Sequence, residues 1–384
     1  MTRHRFHDLE RRLLRGVLGD DYARREGQCR LAPEWLILCI NNFCNLHCRM
    51  CDVGLGASDT VFYANLIGDQ PQNMSLDLLN TILDQATLFR PAPRIGLSYT
   101  EPLIHARILD FCEAIARRRL FVSITTNGYL LPRLAGGLVA CGVDHITVSV
   151  DGSEAVHDRV RRCDGSFRRL YEGVEKLNEA KSKANRQTPV VQFSYTLTDE
   201  NYTDMVNFVK QVAPLQPDRL IFSHLNFITA QMAHVHNATY QGDLRVVRSN
   251  LGEMDLGGIA LEDMGQALHE LKAYVGSLAK PPRLTIVPDL SDLPELEVFY
   301  RKPLTFIGSR RCTDPWRLMM IKTDGGVIPA HGRCFNFPVG RVTERPLKEI
   351  WNSDRYLELR GILKSAGGTL PACSRCCGVI GKPR

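Results

Sequence analysis

The middle of this chain alternates between two hydrophobic periods, and that alternation limits the folds it can adopt. Short β-branched or apolar runs occur near residues 35–40, 95–99, 121–126, 145–150, 190–197 and 219–223. Stretches with helical spacing separate them at 76–89, 104–118, 131–141, 167–180 and 202–212. Ser75 and Asp199 stand where N-caps are expected. Repeated strand–helix units require parallel strands joined by right-handed crossovers, so six of them predict an α/β protein with a partial (β/α)6 barrel.

Three cysteines directly follow the first of these strands, in the string Cys44-Asn-Leu-His-Cys48-Arg-Met-Cys51. Three thiolates on one tight loop can hold three irons of a [4Fe–4S] cluster and leave the fourth iron without a protein ligand. Such an open position is a place for chemistry, as it is in catalytic metal sites generally. One alternative is a structural zinc site, although His47 and Asp52 are poorly placed to complete a tetrahedron. Unrelated core cysteines are a second alternative.

The following strands end in short polar motifs. These are Tyr99-Thr100-Glu101-Pro102-Leu103 after the second strand, Thr125-Thr126-Asn127-Gly128 after the third, Ser149-Val150-Asp151-Gly152 after the fourth, and then His157-Asp158-Arg159-Val160-Arg161 with Gly165-Ser166-Phe167. Ligands of parallel α/β folds bind beyond the carboxyl ends of the strands. We therefore expect these motifs to converge with Cys44 at one opening of the barrel.

Taken in order, the motifs resemble those of the radical S-adenosylmethionine (SAM) superfamily. Two positions depart from its pattern. Met50 stands where an aromatic residue usually precedes the last cysteine, and Tyr99-Thr100 stands where two glycines are usual. The resemblance implies the same barrel, SAM as cofactor and a SAM-binding [4Fe–4S] cluster. It also implies a chemistry in which one electron cleaves SAM to methionine and a 5′-deoxyadenosyl radical, which takes hydrogen from a substrate carbon.

The resemblance further implies which residues hold SAM. The predicted set is Tyr99, Thr100, Glu101, Asn127, Ser149, Asp151 and Arg161. Glu101 would accept a charge-assisted hydrogen bond from the methionyl ammonium, and Arg161 would bind the carboxylate with its planar fork. Asn127 and Ser149 are candidates for contacts to the ribose or the carboxylate. Asn127-Gly128 and Asp151-Gly152 could instead be turn pairs, and Arg161 could be a surface arginine. No residue is assigned as a catalytic acid or base.

Four further cysteines, Cys312, Cys334, Cys373 and Cys376, lie in the C-terminal part of the chain. Between them, an apolar run at 318–321 and the turn at 323–326 predict a β-hairpin, and 347–353 predicts a helix. This part resembles the SPASM/twitch extension of radical SAM enzymes, which holds auxiliary iron–sulfur clusters. Four thiolates suit one such cluster, an auxiliary [4Fe–4S] cluster.

The spacing of this second group departs from the superfamily pattern. A cysteine usually follows the turn glycine closely, where this chain has Ala330 and His331, so Cys334 comes late. Cys334 could still ligate, His331 could replace it, or the position could stay open. Cys377 competes with Cys376. A zinc ribbon remains an alternative, because spaced cysteine pairs also suit zinc.

The length of 384 residues exceeds that of a usual single domain. We expect an N-terminal helical extension at 1–33 with a helix over 7–18, the core barrel at 34–240, a linker at 241–305 and the auxiliary-cluster domain at 306–384. In the linker, glycines and prolines break the pattern around one bridging helix at 261–279.

Composition and charge limit the classes of binding partner. The apolar fraction is 44% and the net charge +6, with no block of like charges that would suggest nucleic-acid binding. Neither an apolar signal core nor a run of about 18 apolar residues is present. Thirteen cysteines in a chain of this kind fit a reducing cytoplasm with metal-bound thiolates. We expect a cytoplasmic enzyme that takes electrons from a one-electron donor such as flavodoxin or ferredoxin.

The two predicted clusters favour an oxidoreductase. A fully ligated second cluster could accept the electron left on a substrate radical, so the chain would carry out a net oxidation. The expected substrate is a small polar metabolite such as a sugar, a cyclitol or an aminoglycoside precursor. A ribosomally made peptide is the alternative, although little chain precedes the barrel to bind a leader. Redox-neutral epimerisation, RNA modification and electron carriage without catalysis are further alternatives.

Overall fold

The computed structural model describes residues 10, 11, 13, 14, 21–23, 27–67, 70–308, 311–330, 332 and 334–380. Within them one ten-stranded sheet runs in the order β10-β9-β8-β1-β2-β3-β4-β5-β6-β7. The strands are β1 Trp35–Leu38, β2 Arg94–Leu97, β3 Val122–Thr126, β4 His145–Ser149, β5 Val190–Leu197, β6 Arg219–His224, β7 Arg283–Val287, β8 Leu318–Ile321, β9 Gly326–Ile328 and β10 Gly340–Arg341. The strands from β8 through β7 are parallel, and β9 and β10 are antiparallel. The predicted α/β partial barrel is confirmed, and its sheet does not close among the described strands.

Helices connect the strands of this sheet and continue after the last of them. They are α1 Val61–Leu66, α2 Leu76–Ala86, α3 Ile108–Arg117, α4 Leu131–Ala140, α5 Glu154–Arg161, α6 Ser166–Lys183, α7 Met205–Val212, α8 Ala230–Asn237, α9 Leu261–Ser277, α10 Leu293–Arg301, α11 Leu347–Trp351, α12 Asp354–Ser365 and α13 Cys377–Ile380. Short 3₁₀ turns lie at Asp21–Ala23, Pro102–Ile104, Ala213–Leu215, Gly242–Leu244, Asp314–Trp316 and Pro371–Arg375. None of the helices that the structure describes is long and apolar enough to cross a bilayer.

The two N-cap predictions had different outcomes. The Ser75 hydroxyl accepts a hydrogen bond from the Leu78 N–H and caps α2, as predicted. Asp199 does not cap a helix, because α7 begins only at Met205, with Asp204 before it. The Asn201 side chain explains the delay: its oxygen accepts from Thr198 N–H at 2.7 Å and its amide donates to the backbone at the end of β5. The chain therefore stays in a turn until after residue 201.

The linker region contains more regular structure than its prolines suggested. The bridging helix is present as α9, and it is followed by β7 and α10, which were not predicted. β7 pairs only with β6 among the described strands, and Pro282 and Pro288 flank it. Prolines are tolerated next to an edge strand, where fewer backbone donors need partners. The predicted N-terminal helix at 7–18 lies largely outside the described residues, and the division into domains stays a prediction.

The faces of the barrel strands differ in polarity. Residues that point outward, such as Ile124, Val148 and Phe193, are at most 1% exposed and pack under the helices. The alternate residues point inward and are half-buried. Because side chains alternate along a strand, one face builds the core while the other lines the interior of the barrel.

The predicted C-terminal hairpin is confirmed, and it extends the barrel sheet. β8 pairs in parallel with β1, from Trp35 opposite Leu318 to Leu38 opposite Ile321. The turn closes through Gly325, whose φ of +81° is a conformation that favours glycine. This pairing places the strand that follows Cys312 directly beside the strand that precedes Cys44.

Candidate active site and cluster-binding sites

The carboxyl ends of β1, β2 and β3 meet at one opening, which we call the mouth. Glu101, after β2, is hydrogen-bonded to the end of β3. Thr126 Oγ1 donates to the Glu101 carboxylate at 2.7 Å, and Asn127 N–H donates to it at 2.6 Å. Asn41, just after β1, donates its side-chain amide to the Glu101 carbonyl at 2.8 Å. Asn127 in turn donates to Asn45 at 2.9 Å, inside the cysteine loop. The sequence motifs after these three strands are thus brought together.

Glu101 is a fixed acceptor. Its side chain is 2% exposed, and a third donor, the Leu103 N–H, lies 3.0 Å from Oε1. Burial raises the pKa of this carboxyl to about 6, against the opposing effect of its hydrogen bonds. Above that pH the carboxylate carries its charge inside a dry site. Each carboxylate oxygen can accept more than one hydrogen bond, so a cationic ligand can still be bound there.

The departure from the usual glycines before Glu101 has a structural counterpart. Tyr99 adopts φ +85°, a conformation that favours glycine and costs other residues about 1–3 kcal/mol. Its ring packs against Phe62 with centroids 6.2 Å apart. Thr100 donates its hydroxyl to the Asn41 carbonyl at 2.9 Å. The turn therefore keeps a glycine-like backbone, and Tyr99 packs in an apolar cluster at the β1–β8 side of the mouth.

The first three cysteines lie close together on the loop after β1. Cys44, Cys48 and Cys51 interact electrostatically with one another, and Cys48 is 7% exposed. The Gly54 N–H donates to the Cys51 sulfur at 3.4 Å. A Cβ on Gly54 would come within 3.0 Å of the Cys48 backbone, so the turn closes tightly under the thiols. This loop fits three thiolate ligands of one cluster.

The two residues considered for a zinc site are occupied elsewhere. The His47 ring bonds to the Gly54 carbonyl at 2.9 Å. Both Asp52 carboxylate oxygens accept the Asn250 N–H, at 2.9 and 3.0 Å. Burial raises the pKa of Cys44 to about 11 and of Cys48 to about 12, so these thiols are protonated without a metal. Binding of iron must therefore release protons.

Arg161 and Asp151 form a buried ion pair at the mouth. Arg161 Nη2 lies 2.5 Å from Asp151 Oδ2, and Nη1 lies 3.8 Å from the Cys48 sulfur. Burial opposes the charge of Arg161, but the facing carboxylate outweighs it and raises the pKa of the guanidinium. Asp151 is 0% exposed and also accepts from Thr196 N–H at 2.8 Å. Asp151 thus orients Arg161, and a direct contact of Asp151 with SAM stays a prediction.

Ser149 ends β4 at the same opening and is half-buried. In the sheet register it lies opposite Ser194 on β5. One step deeper, Gln192 donates its amide to Thr147 Oγ1 at 2.6 Å. Hydroxyl and amide groups therefore continue inward from the predicted SAM site.

The second group of cysteines is assembled from three separate segments. A cavity of about 40 Å³, partly open to solvent, lies between the loop after β6 and the C-terminal segment, and Cys334, Cys373 and Cys376 line it. Cys312 interacts electrostatically with Cys334 and Cys373, and burial raises its pKa well above the ordinary value. The structure thus brings together the four predicted ligands. His331 and the side chain of Cys377 lie outside the described residues.

Across the described residues, no three His, Cys, Asp or Glu side chains converge in a way that could hold a single metal ion. In a [4Fe–4S] cluster the four cysteines are distributed over the irons of one cube. At both sites the donors are thiols, which fit such a cluster. The assignment of each ligand stays a prediction.

Two histidines, His224 and His236, do not reach the mouth. His224 bonds to the Tyr300 hydroxyl at 2.9 Å inside the core, where burial lowers its pKa to about 4. His236 bonds to the Leu244 carbonyl at 2.8 Å. Sequence reasoning missed Asn41 and Asn45, which support Glu101 and Asn127. The sequence could have predicted both residues, because asparagines directly after an apolar strand place polar groups at a strand end.

Comparison with known proteins agrees with this geometry. The sequence model of the radical SAM superfamily matches residues 38–212, and that of the SPASM iron–sulfur cluster-binding domain matches 312–377. A tungsten-containing aldehyde ferredoxin oxidoreductase cofactor-modifying protein of Pyrococcus furiosus is 24% identical over 89% of this chain and 87% of its own. The AdoMet-dependent heme synthase of Methanosarcina barkeri is 24% identical over 86% of this chain and 85% of its own.

Solved structures show the same fold. SuiB of Streptococcus suis, bound to its precursor peptide SuiA, superposes with a TM-score of 0.59 at 14% identity, over 86% of this chain and 67% of SuiB. The protein anSMEcpe with bound AdoMet gives a TM-score of 0.55 at 16% identity, over 84% of this chain and 82% of its own. The two domain matches identify the cofactors as SAM, the [4Fe–4S] cluster that binds it and auxiliary iron–sulfur. This chain contains a radical SAM domain at residues 38–212 and a SPASM-type iron–sulfur cluster-binding domain at residues 312–377.

Proposed function

We propose that this chain is a radical SAM oxidoreductase that removes two electrons and two protons from a small, hydroxyl-rich metabolite such as a sugar or a cyclitol. When bound, the SAM-binding cluster supplies the electron that cleaves SAM and yields the 5′-deoxyadenosyl radical. The observation that carries the substrate class is the polarity of the barrel interior. The C-terminal cysteines support the oxidative outcome.

The inner face of β3 to β6 is largely polar, although Ile221 on β6 lies opposite Ser194. In register, Thr125 lies opposite Thr147, which lies opposite Gln192. Nearer the mouth, Ser149 lies opposite Ser194, and Thr196 lies opposite Ser223. These residues are half-buried, unlike the fully buried residues of the outer face. Hydroxyl and amide groups both donate and accept, so this surface suits a ligand with many hydroxyl groups.

The chain's own residues would hold SAM at the mouth of this interior. Glu101 is preoriented by its three donors and would accept from the methionyl ammonium. Arg161, held by Asp151, lies beside Cys48 and would reach the carboxylate. Ser149 stands between these groups and the polar interior. The substrate would then lie against Ser194, Thr196 and Ser223, shielded by the barrel from water.

The alternative of a peptide substrate rests on the fold shared with SuiB and anSMEcpe. At 14% and 16% identity, this similarity supports a common fold but not a common substrate. The two relatives that match over most of their length are a cofactor-modifying protein and a heme synthase. Both favour a non-peptide substrate for this chain. RNA modification has no supporting feature in the described site.

The test is anaerobic turnover of the reconstituted chain with SAM and a strong one-electron reductant. The probes are myo-inositol, scyllo-inositol and glucosamine, with an unmodified synthetic peptide library as the competing substrate. We expect slow 5′-deoxyadenosine formation without substrate. At least one polyol should raise that rate and give a product lighter by two hydrogens, in a 1:1 ratio to 5′-deoxyadenosine. A response to peptides alone, or a product isomeric with its substrate, would contradict the proposal.

A further inference from the structure

Arg375 is a buried cation inside the loop that carries two of the C-terminal cysteines. It lies between Cys373 and Cys376, it is 0% exposed, and it lines the cavity with both of them. Arginine is almost never fully buried unless its charge is paired. Its surroundings therefore need an explanation.

The guanidinium makes all its hydrogen bonds to backbone carbonyls. Nε donates to Phe299 O at 2.6 Å, Nη1 to Thr305 O and Ser374 O, and Nη2 to Val298 O and Lys302 O. Val298, Phe299 and Lys302 lie at the C-terminal end of α10, so Arg375 closes that terminus. The carbonyls of Val298 and Lys302 also accept from the backbone N–H groups of Lys302 and Thr305. The bonds from Arg375 satisfy the donors of the guanidinium, but carbonyl dipoles do not cancel its charge.

No carboxylate within the described parts of the chain pairs with Arg375. Arg161, whose side chain is 12% exposed, offers the contrast, since Asp151 faces it at 2.5 Å. Transfer of an unpaired cation into the protein interior is costly, unless a negative group is supplied. The space next to Arg375 is the cavity lined by Cys334, Cys373 and Cys376. A negatively charged group bound in this cavity would therefore lie next to Arg375.

We propose that Arg375 provides the counter-charge for the auxiliary iron–sulfur cluster and makes that cluster easier to reduce. A cluster held by thiolates is negatively charged and becomes more so on reduction, and a nearby buried cation favours the more negative form. Because the N–H groups of Arg375 are committed to carbonyls, the effect acts through space rather than by a hydrogen bond to sulfur. It would make the cluster a better acceptor for an electron from the substrate radical.

The test uses the full-length chain with Cys44, Cys48 and Cys51 replaced by alanine, so that only the auxiliary cluster contributes to the signal. Its midpoint potential is measured by EPR-monitored redox titration, alongside iron content and thermal unfolding. Arg375→Gln removes the charge, and Arg375→Lys keeps it while losing most of the hydrogen bonds. Arg360→Gln is the matched control, because Arg360 is also 0% exposed and bonds to carbonyls such as Pro315 O, but it does not line the cavity.

We expect Arg375→Gln to lower the reduction equilibrium constant at least tenfold, which is 59 mV for a one-electron couple. The reduction equilibrium constant of Arg375→Lys should stay within about threefold of that of the parent. Both variants should unfold at a lower temperature than the parent. Arg360→Gln should lose stability without a change in potential. An unchanged potential in Arg375→Gln with its irons retained, or an equal shift in the lysine variant, would overturn the proposal and leave Arg375 a structural role only.

A second variant covers the case in which Arg375→Gln does not fold. Thr305 is exposed and its carbonyl accepts from Arg375 Nη1 at 2.8 Å. Thr305→Asp keeps Arg375 and its carbonyl bonds but adds an anion beside it. We expect a smaller shift in the same direction, largest at low ionic strength because the added charge is exposed. A potential independent of this substitution at low salt would also overturn the proposal.

Discussion

The two cysteine sites of this protein are built in opposite ways. The loop after β1 carries its three cysteines within eight residues, and its neighbouring charges are paired, Arg161 with Asp151. The auxiliary site gathers cysteines from positions 312, 334, 373 and 376, and its one lining arginine has no carboxylate partner among the described residues. A local loop can be recognised from spacing alone. A site assembled from distant segments depends on the sheet and helices that bring those segments together.

The sharpest way to separate the two sites is to remove the first. Replacement of Cys44, Cys48 and Cys51 by alanine should abolish 5′-deoxyadenosine formation, because the cluster that binds and reduces SAM is lost. Iron content should fall from about eight to about four per chain, one [4Fe–4S] cluster being lost. Cys141→Ser is the control, because the Cys141 thiol donates to the Leu109 carbonyl on α3 and belongs to neither predicted ligand set. This variant should keep all the iron. Zinc in place of iron in the unaltered chain would contradict the assignment.

Removal of the second site should have a different signature. In Cys373→Ala, SAM cleavage should remain largely intact while oxidised product falls by at least tenfold, because the electron left on the substrate has no acceptor. The measurement is the ratio of product to 5′-deoxyadenosine. Solubility and unfolding must be followed as well, since thiolate–metal bonds tie this loop to the domain. A ratio unchanged from the unaltered chain would show that the auxiliary site takes no part in oxidation.

Breaking the ion pair at the mouth should destabilise the fold strongly, because a charge is left unpaired. Asp151→Asn leaves Arg161 charged and without its facing carboxylate, and the free energy of unfolding should fall by about 3 kcal/mol. Denaturant unfolding of the apo chain measures this. Asp110→Asn is the control, because Asp110 and Arg107 form an exposed pair that should contribute little. Equal effects of the two substitutions would argue against a special role for the pair.

Glu101 should matter for SAM binding more than for the fold of the loop. Glu101→Gln keeps the size of the side chain and removes its charge, so SAM should bind more weakly by about 1.5–3 kcal/mol. Equilibrium binding of SAM to the reconstituted chain gives this value. Glu34→Gln, at the opposite end of β1 where Glu34 pairs with Arg317, is the control and should leave SAM binding unchanged. A loss in the control as large as that in Glu101→Gln would point to a general effect on the barrel.

The smallest expected effect is a pH dependence. The folded pKa of Glu101, about 6, lies above its ordinary value of 4.5. The group therefore favours the folded state at low pH, and this contribution is lost as pH rises through about 6. SAM binding should show the opposite trend, since the ammonium needs the carboxylate, and affinity should fall up to tenfold per pH unit below 6. Glu101→Gln should remove this dependence, and an identical profile in that variant would assign it to another group.

The sequence predicted the strands and the polar motifs at their ends because both depend on local patterns. Alternation of apolar and polar residues defined β3 to β6, and Ser75 was recognised as a cap from its place before an apolar-periodic helix. Asp199 failed by the same reasoning, since the Asn201 side chain holds the turn with bonds to the end of β5. β7 was missed because its flanking prolines resemble a linker. The role of Asp151 beside Arg161 could not be foreseen, because the two side chains meet only when α5 folds back over the mouth.

By itself the sequence determined the chemistry and the order of the chain: three cysteines after a strand, Glu101 after the next, and four cysteines near the end. Spacing along the chain sets which ligands one loop can offer. The tertiary structure decided which of these groups meet. It paired β8 with β1, placed Cys312 near Cys334 and Cys373, and buried Arg375 against the end of α10. These contacts join residues far apart in sequence, and they follow from packing and hydrogen bonding that no local pattern encodes.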